Sequence, residues 1–174
     1  MAMIPALVSE RLQLNPFTHD DIEALVRLWA AAPMREHLWE GEKVTYELAQ
    51  SAVREATADA GRSGIGMWTL RLDQDPVLAG FCGFRWLGIP PQIELLYGLR
   101  PDLWDEGLAS EAVRTCLAWL FEHHPVAHVL AGSSSGNPRS LQLLTRLGFE
   151  AMAQQPAGPD TIDYFKLRRE NFRP

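Results

Sequence analysis

Residues 92–135 place one helical pattern between two apolar strand patterns, and this arrangement constrains the fold more than any other part of the sequence. QIELLYGLR (92–100) predicts a strand, and a helix is expected from Gly107 to about His123. VAHVLAGSSS (126–135) predicts the second strand. A helix that joins two strands of one sheet in this way makes them parallel, with a right-handed crossover. The chain is therefore expected to build a sheet that contains a parallel pair.

The remaining segments extend this sheet with antiparallel strands. Alternating or apolar runs predict strands, 3.6-residue periodicity predicts helices, and Gly, Pro and Asn mark the turns. Strands are expected at 7–17, 67–72 and 77–87, helices at 22–31, 45–60 and 138–147, a loop at 37–43, a turn at 61–66, and a final hairpin from 149–155 and 161–171. The expected fold class is α/β (α+β), with a mixed, mostly antiparallel sheet and helices on both faces.

Composition places the chain among ordinary globular proteins of one domain. It has 174 residues, of which 47% are hydrophobic and 22% charged, so a single domain over 1–174 is expected. The net charge of −6 argues against nucleic-acid binding, which needs clustered Lys and Arg. Without a signal-like N-terminus or an apolar run of about 18 residues, a cytoplasmic protein without membrane contact is expected.

Neither the cysteines nor the histidines suggest a metal or a disulfide. Cys82 and Cys116 lie in apolar patterns and are expected to be reduced core thiols. His123, His124 and His128 lack the spacing of a metal site. No metal is expected.

WDEGLASEA (104–112) leads from the first parallel strand into its helix and allows two interpretations. The first amides of a helix are unpaired donors, and the helix dipole favours an anion there, so the turn suits a phosphate. However, Asp105 and Glu106 bring two carboxylates into it, and acidic residues also stabilise helix starts by about 0.3–1 kcal/mol. Taken alone, the segment predicts either a phosphate cradle or an acidic cap.

The order and spacing of several motifs resemble the GNAT-type N-acetyltransferases. The motifs are LLYGLRP, WDEGLASEA and AGSSSGNPRSLQLLTRLGF, with SERLQLNPFTHDD and GFCGF before them, so the resemblance covers nearly the whole chain. It is greatest to the RimJ/RimL branch, which acetylates the N-termini of ribosomal proteins. The resemblance implies a GNAT fold in which the strands at 92–100 and 126–135 splay apart, and an acetyl-CoA-dependent N-acetyltransferase that needs no metal.

The resemblance also implies where acetyl-CoA lies. Backbone amides of the turn would hold the pyrophosphate: Gly107 permits close approach, Ala109 leaves the helix entrance open, and Ser110 adds a hydroxyl. Asn137 would cap the next helix and contact the pantetheine arm. The full set of expected cofactor-binding residues is Tyr97, Leu99, Trp104, Asp105, Glu106, Gly107, Leu108, Ala109, Ser110 and Asn137.

The turn departs from the family pattern at two positions. The branch commonly has Trp-Gly-Lys-Gly-Tyr-Ala, so Trp104, Gly107 and Ala109 match, whereas Asp105 and Glu106 replace a glycine and a basic residue. A carboxylate about 6 Å from a phosphate is repelled by roughly 1–3 kcal/mol at an effective dielectric of about 20 to 80. The departure therefore bears on affinity more than on the existence of the site.

Candidate catalytic residues follow from the mechanism that the resemblance implies, a direct attack by a neutral amine. The backbone at Leu99 would polarise the acetyl carbonyl. Glu94 interrupts an apolar run and is the candidate base; the alternative is a solvent-facing edge glutamate. Ser140 would donate to the leaving thiolate, or is an ordinary first-turn serine. Many relatives have a tyrosine where this chain has Leu144.

The acceptor is expected to be a primary amine, either a protein N-terminus or a small molecule. Trp39 and Glu40, in the loop at 37–43, are candidates to line its pocket, or else form a lid that packs on the core. Relatives often pair as homodimers. The alternative from another class is a non-catalytic acyl-CoA-binding or regulatory module, suggested by the acidic turn and by Leu144.

Overall fold

A computed structural model describes residues 4–38 and 42–174. The strands are β1 Leu7–Val8, β2 Leu12–Pro16, β3 Met67–Leu72, β4 Gly80–Leu87, β5 Gln92–Leu99, β6 His128–Ser134, β7 Glu150–Ala157 and β8 Asp160–Arg168. The helices are α1 Ile22–Ala30, α2 Ala32–Leu38, α3 Tyr46–Ser63, α4 Leu108–His123 and α5 Pro138–Arg146. Within these ranges, no helix combines the length and apolar character needed to cross a membrane.

The eight strands form one sheet in the order β1-β2-β3-β4-β5-β6-β8-β7. All neighbouring pairs are antiparallel except β5 and β6, which are parallel and connected through α4. The predicted mixed, mostly antiparallel sheet is therefore confirmed, and its parallel pair is the one that the strand–helix–strand pattern predicts. The final hairpin also forms, with β8 rather than β7 beside β6.

Helices cover both faces of the sheet, as predicted. One apolar cluster packs α4 and α5 against a face of the sheet, and a second packs α1, α2 and α3 against the other. Cys82 and Cys116 are buried free thiols in the first cluster. Side chains that alternate along β5 serve both clusters: Leu95 belongs to the first, and Leu96 packs on the second.

Several predicted boundaries are wrong, including the start of the strand at 77–87, which begins at Gly80, and the end of the strand at 161–171, which is Arg168. The segment 7–17 is two short strands, because the backbone turns at Ser9 and brings Leu7 opposite Leu14. Helix α2 occupies Ala32–Leu38, which includes part of the predicted loop at 37–43. Helix α3 continues to Ser63, beyond the predicted turn at Gly61.

Glu111 in the first turn of α4 ties this helix to the β1–β2 hairpin. Its carboxylate accepts hydrogen bonds of 2.7 Å from Ser9 Oγ, from the Arg11 amide and from Arg11 Nε. Arg11 Nη1 also donates to the Glu106 carbonyl at 2.9 Å. Burial by itself would raise the pKa of Glu111, but these hydrogen bonds lower it below its ordinary value. The N-terminal hairpin thus holds the turn before α4 in place.

We expect Glu111→Gln to lower the free energy of unfolding by about 1–3 kcal/mol at pH 7, because charge-assisted hydrogen bonds are lost. Because the pKa of Glu111 is lowered by folding, its ionised carboxylate adds fully to the free energy of unfolding above the unfolded pKa of about 4.3. This contribution disappears as pH falls through the folded pKa. The difference from wild type should therefore shrink below about pH 5. Urea unfolding at pH 7, 5 and 4 measures it. Glu122→Gln, an exposed site on the same helix, is the matched control; equal losses in both variants would contradict the assignment.

Candidate active site

A cavity of about 290 Å³ opens where β5 and β6 diverge. The two strands pair only at Glu94–Leu130 and Leu95–Ala131 within the described chain. Beyond those pairs, residues 96–99 of β5 and 132–134 of β6 line opposite walls of the cavity. The first turns of α4 and α5 and one side of α2 complete the lining. Because α2 lies on the other sheet face from α4 and α5, the cavity connects both faces through the gap.

The start of α4 presents unpaired amides to this cavity. Its N-cap, Gly107, has φ 79°, a left-handed conformation that favours glycine. The first helical bond runs from the Glu111 amide to the Gly107 carbonyl at 3.1 Å. The amides of residues 108–110 precede that bond and have no helical acceptor. No side chain among the described residues caps the helix by accepting from them, so these amides are available to an anion.

The two carboxylates of the turn have different surroundings. Glu106 is exposed and does not belong to the described cavity lining. Asp105 lines the cavity, with φ 64°, and its carboxylate pairs with Arg139 of α5 at 3.2 Å. The Arg139 guanidinium also lies over the Trp104 ring, 5.0 Å from its centroid. The cavity therefore does not receive the two uncompensated charges that the sequence suggested.

The free edge of β5 carries backbone groups that face the gap. The Arg100 amide donates to Ala79 at 2.8 Å, on the β4 side of the strand. Because strand residues direct their backbone groups to alternate sides, those of Tyr97 and Leu99 point toward β6. There, the Leu99 carbonyl accepts from Trp104 Nε1 at 2.9 Å. The Leu99 amide remains directed at the cavity, where sequence reasoning expects it.

Tyr97 and Ser140 form a hydroxyl pair on the cavity wall, with 2.6 Å between Oη and Oγ. Burial raises the pKa of Tyr97 to about 12, although the hydrogen bond with Ser140 acts in the opposite direction. Asn137 caps α5 by accepting from the Ser140 amide at 3.3 Å. Leu144 is buried in the core. A phenol thus reaches Ser140 from β5, a contact that sequence reasoning missed.

Glu94 is 3% exposed, so the alternative of a solvent-facing edge residue is wrong. Its Oε2 accepts from Arg85 Nε at 2.7 Å. Its charge also contributes, after burial, to raising the pKa of Tyr164. A Cβ on Gly132 would lie 3.3 Å from Glu94 Oε1, so glycine leaves room for this carboxylate. Glu94 lies beside the gap but is not among the described lining residues.

Sequence reasoning missed the contribution of α2. Pro33, Met34, His37 and Leu38 line the cavity from that helix. Neither the length of this segment nor a clear apolar period signalled a helix, although Pro33 suits a first helical turn. Trp39 and Glu40, the predicted acceptor-pocket residues, lie outside the described residues.

The raised pKa of Tyr97 predicts a pH-dependent stability. The unfolded phenol ionises near pH 10 and the folded one near 12, so stability is lost as pH rises between these values. The difference in unfolding free energy between wild type and Tyr97→Phe should change by about 1.4 kcal/mol per pH unit there. Urea unfolding at pH 9, 10 and 11 measures the slope. Tyr46→Phe, at an exposed tyrosine, is the control; a parallel wild-type and Tyr97→Phe profile would contradict a buried phenol.

A parallel pair that splays beside an uncapped helix start is the arrangement that the resemblance to the GNAT-type N-acetyltransferases implies. The chain belongs to the GNAT acetyltransferase family, since the sequence profile of the Acetyltransferase (GNAT) domain matches residues 11–150. The uncharacterized N-acetyltransferase YoaA of Bacillus subtilis (strain 168) is 25% identical over 150 residues, covering 85% of this chain and 84% of YoaA. These matches assign the chain to the acetyl-CoA-dependent acyltransferases.

Solved structures share the fold at lower identity. A GnaT-family acetyltransferase from Bordetella pertussis superposes with a TM-score of 0.81 at 19% identity, covering 93% of this chain and 98% of that one. RimL, a ribosomal L7/L12 alpha-N-protein acetyltransferase solved with coenzyme A, gives 0.78 at 16% identity, covering 95% and 97%. The predicted GNAT fold is confirmed.

Proposed function

We propose that this protein is an N-acetyltransferase that transfers the acetyl group of acetyl-CoA to a primary amine by direct attack within a ternary complex. The observation that carries the proposal is the cavity that connects both sheet faces through the β5–β6 gap. The donor enters from the α4–α5 side and the acceptor from the α2 side. Two substrates then meet inside the sheet, so no acyl-enzyme is required.

Acetyl-CoA is a substrate that supplies the acetyl group as a thioester. The amides of residues 108–110 receive its phosphate charge, with Gly107 allowing close approach. Trp104 supports the adjacent turn through its bond to the Leu99 carbonyl. The Leu99 amide donates to the acetyl oxygen, which gains negative charge as the amine attacks. The cofactor-binding assignments rest on this arrangement, including the role of Asn137 beside the pantetheine arm.

Ser140 is the proposed donor to the sulfur. The phenol has a pKa of about 12 and stays protonated at neutral pH. In the proposed mechanism Tyr97 donates to Ser140 Oγ, which leaves the serine hydrogen free for the thiolate. Tyr97 therefore positions and polarises the serine. Leu144 stands where many relatives have a tyrosine, so another group must stabilise the leaving thiolate. The Tyr97–Ser140 pair is proposed to do so.

The proton of the attacking amine needs an acceptor. We propose Glu94 because it is a buried carboxylate beside the gap; it acts through an intervening water, since the cavity lining does not include it. His37 is the second candidate, and a specific observation favours it: its imidazole lines the acceptor side directly. Both assignments place the base on the α2 side of the sheet.

The acceptor class is a protein N-terminus or a small amine. RimL, named as an alpha-N-protein acetyltransferase, shares the fold and supports the first. The apolar α2 wall, with Met34 and Leu38, suits the side chains that follow an N-terminal amine. Trp39 and Glu40 follow directly in sequence and are proposed as acceptor-binding residues.

Blocking the cavity should abolish donor binding. Ala109→Glu puts a carboxylate among the α4 amides, so we expect acetyl-CoA affinity to fall at least about a hundredfold because charge and bulk both oppose the phosphates. Calorimetric titration measures binding, and thiol release with a panel of peptides and small amines measures turnover. Ala58→Glu, on exposed α3, is the matched control. Unchanged binding in Ala109→Glu would reject the site, whereas wild-type binding without turnover on any amine would favour the non-catalytic alternative.

The two base candidates differ in a measurable way. If Glu94 receives the proton, Glu94→Gln should lower kcat by about 10²–10⁴-fold, while His37→Gln leaves kcat within about threefold of wild type. The reverse pattern would assign His37. A kcat near that of wild type in both variants would reject both. Acetyl-CoA binding, measured in parallel, should stay within about threefold, because neither residue is assigned to the donor.

A further inference from the structure

Asp105 and Arg139 form a bridge across the mouth of the cavity. Arg139 Nε lies 3.2 and 3.3 Å from the two carboxylate oxygens, and Nη2 lies 3.2 Å from Oδ2. Both side chains line the cavity but remain accessible, with exposed fractions of 59% for Arg139 and 71% for Asp105. The pair joins the turn before α4 to the first turn of α5.

The bridge holds Arg139 in a defined place without burying it. Its guanidinium stacks over Trp104, a contact that uses the flat face and leaves the N–H donors at the edge directed elsewhere. Two of those donors, Nε and Nη2, are occupied by Asp105. Asp105 has a positive φ at a position where the family pattern has glycine. An exposed ion pair of this kind contributes little stability, so it is easily exchanged.

The charges that line the cavity indicate which group could replace Asp105 as the partner of Arg139. Among the described lining residues, Arg139 and Arg146 are the cations, and Asp105 is the carboxylate. A phosphate on the α4 amides would lie next to Asp105 and be repelled by it. The same phosphate is a bidentate acceptor for the guanidinium that Asp105 holds.

We propose that Arg139 is a phosphate-binding residue of the coenzyme A site and that Asp105 is its resident counterion, exchanged for the phosphate when the ligand binds. The inference rests on the proposed function. Arg139, from α5, supplies the positive charge that the turn lacks because Glu106 replaces a basic residue. Asp105 keeps that charge oriented in the free protein and competes with the ligand for it.

The test is calorimetric titration of Asp105→Asn, Arg139→Gln and the double variant with coenzyme A, dephospho-coenzyme A and pantetheine. Exchange predicts opposite effects: Asp105→Asn tightens coenzyme A binding about three- to tenfold, because competition and repulsion disappear. Arg139→Gln weakens it about tenfold or more. Pantetheine, without phosphate, should bind all variants alike. Loss of the Arg139 effect with dephospho-coenzyme A would assign the contact to the 3′-phosphate, and its retention would assign it to the pyrophosphate.

A purely structural bridge would give a different result, because either single variant breaks it and both would then weaken binding. That outcome, or an Arg139→Gln affinity within twofold of wild type, overturns the proposal. Arg54→Gln, at an exposed arginine of α3, is the matched control, and thermal melting verifies that each variant folds. If wild type binds no coenzyme A at all, the proposed function itself fails. If wild type binds coenzyme A but Asp105→Asn and Arg139→Gln do not change its affinity in opposite directions, only this inference fails.

Discussion

Strands β5 and β6 pair at two residue positions and then separate, and the geometry of the site depends on that separation. A parallel ladder that continued to Leu99 would satisfy the backbone of β5 and close the sheet. Separation instead leaves the backbone groups of Tyr97 and Leu99 facing a cavity that connects both faces. The cost of unpaired strand edges is thus tolerated inside the sheet at this gap, where a ligand with its own amides and carbonyls can replace the missing strand.

The elements around the gap are fixed by contacts outside it. Glu111 joins α4 to the N-terminal hairpin through Ser9 and Arg11, and Asn137 starts α5 on the other side of the cavity. Neither contact uses the unpaired amides of α4. The turn before α4 is therefore held in place from behind while its donor groups stay available, which is the preorganisation that anion binding requires.

Sequence patterns predicted the fold where one principle dominated. The crossover rule gave the parallel pair, and an apolar run between two turn signals gave β3 with its observed ends, Met67–Leu72. Prediction failed where the relevant contact was distant: α2 is short and takes its place by packing Met34 in the second cluster. The Arg139–Asp105 bridge joins residues 34 positions apart, and nothing local signals it. The negative charge of Asp105 was visible in the sequence, but its ion pair with Arg139 was not.

The same limit explains why the proposed leaving-group site could not be read from the helix pattern of α5 alone. Sequence comparison looks for a phenol seven residues after Asn137, and Leu144 at that position is a core residue that packs under the helix. The phenol of Tyr97 instead approaches Ser140 from the strand, because side chains at alternate β5 positions face α5. A hydroxyl at a given point in space can be delivered by any element whose backbone passes near it. Loss of one family residue therefore says little about activity until the neighbouring strands are placed, and here the placement gives Ser140 a partner that remains protonated throughout the neutral pH range.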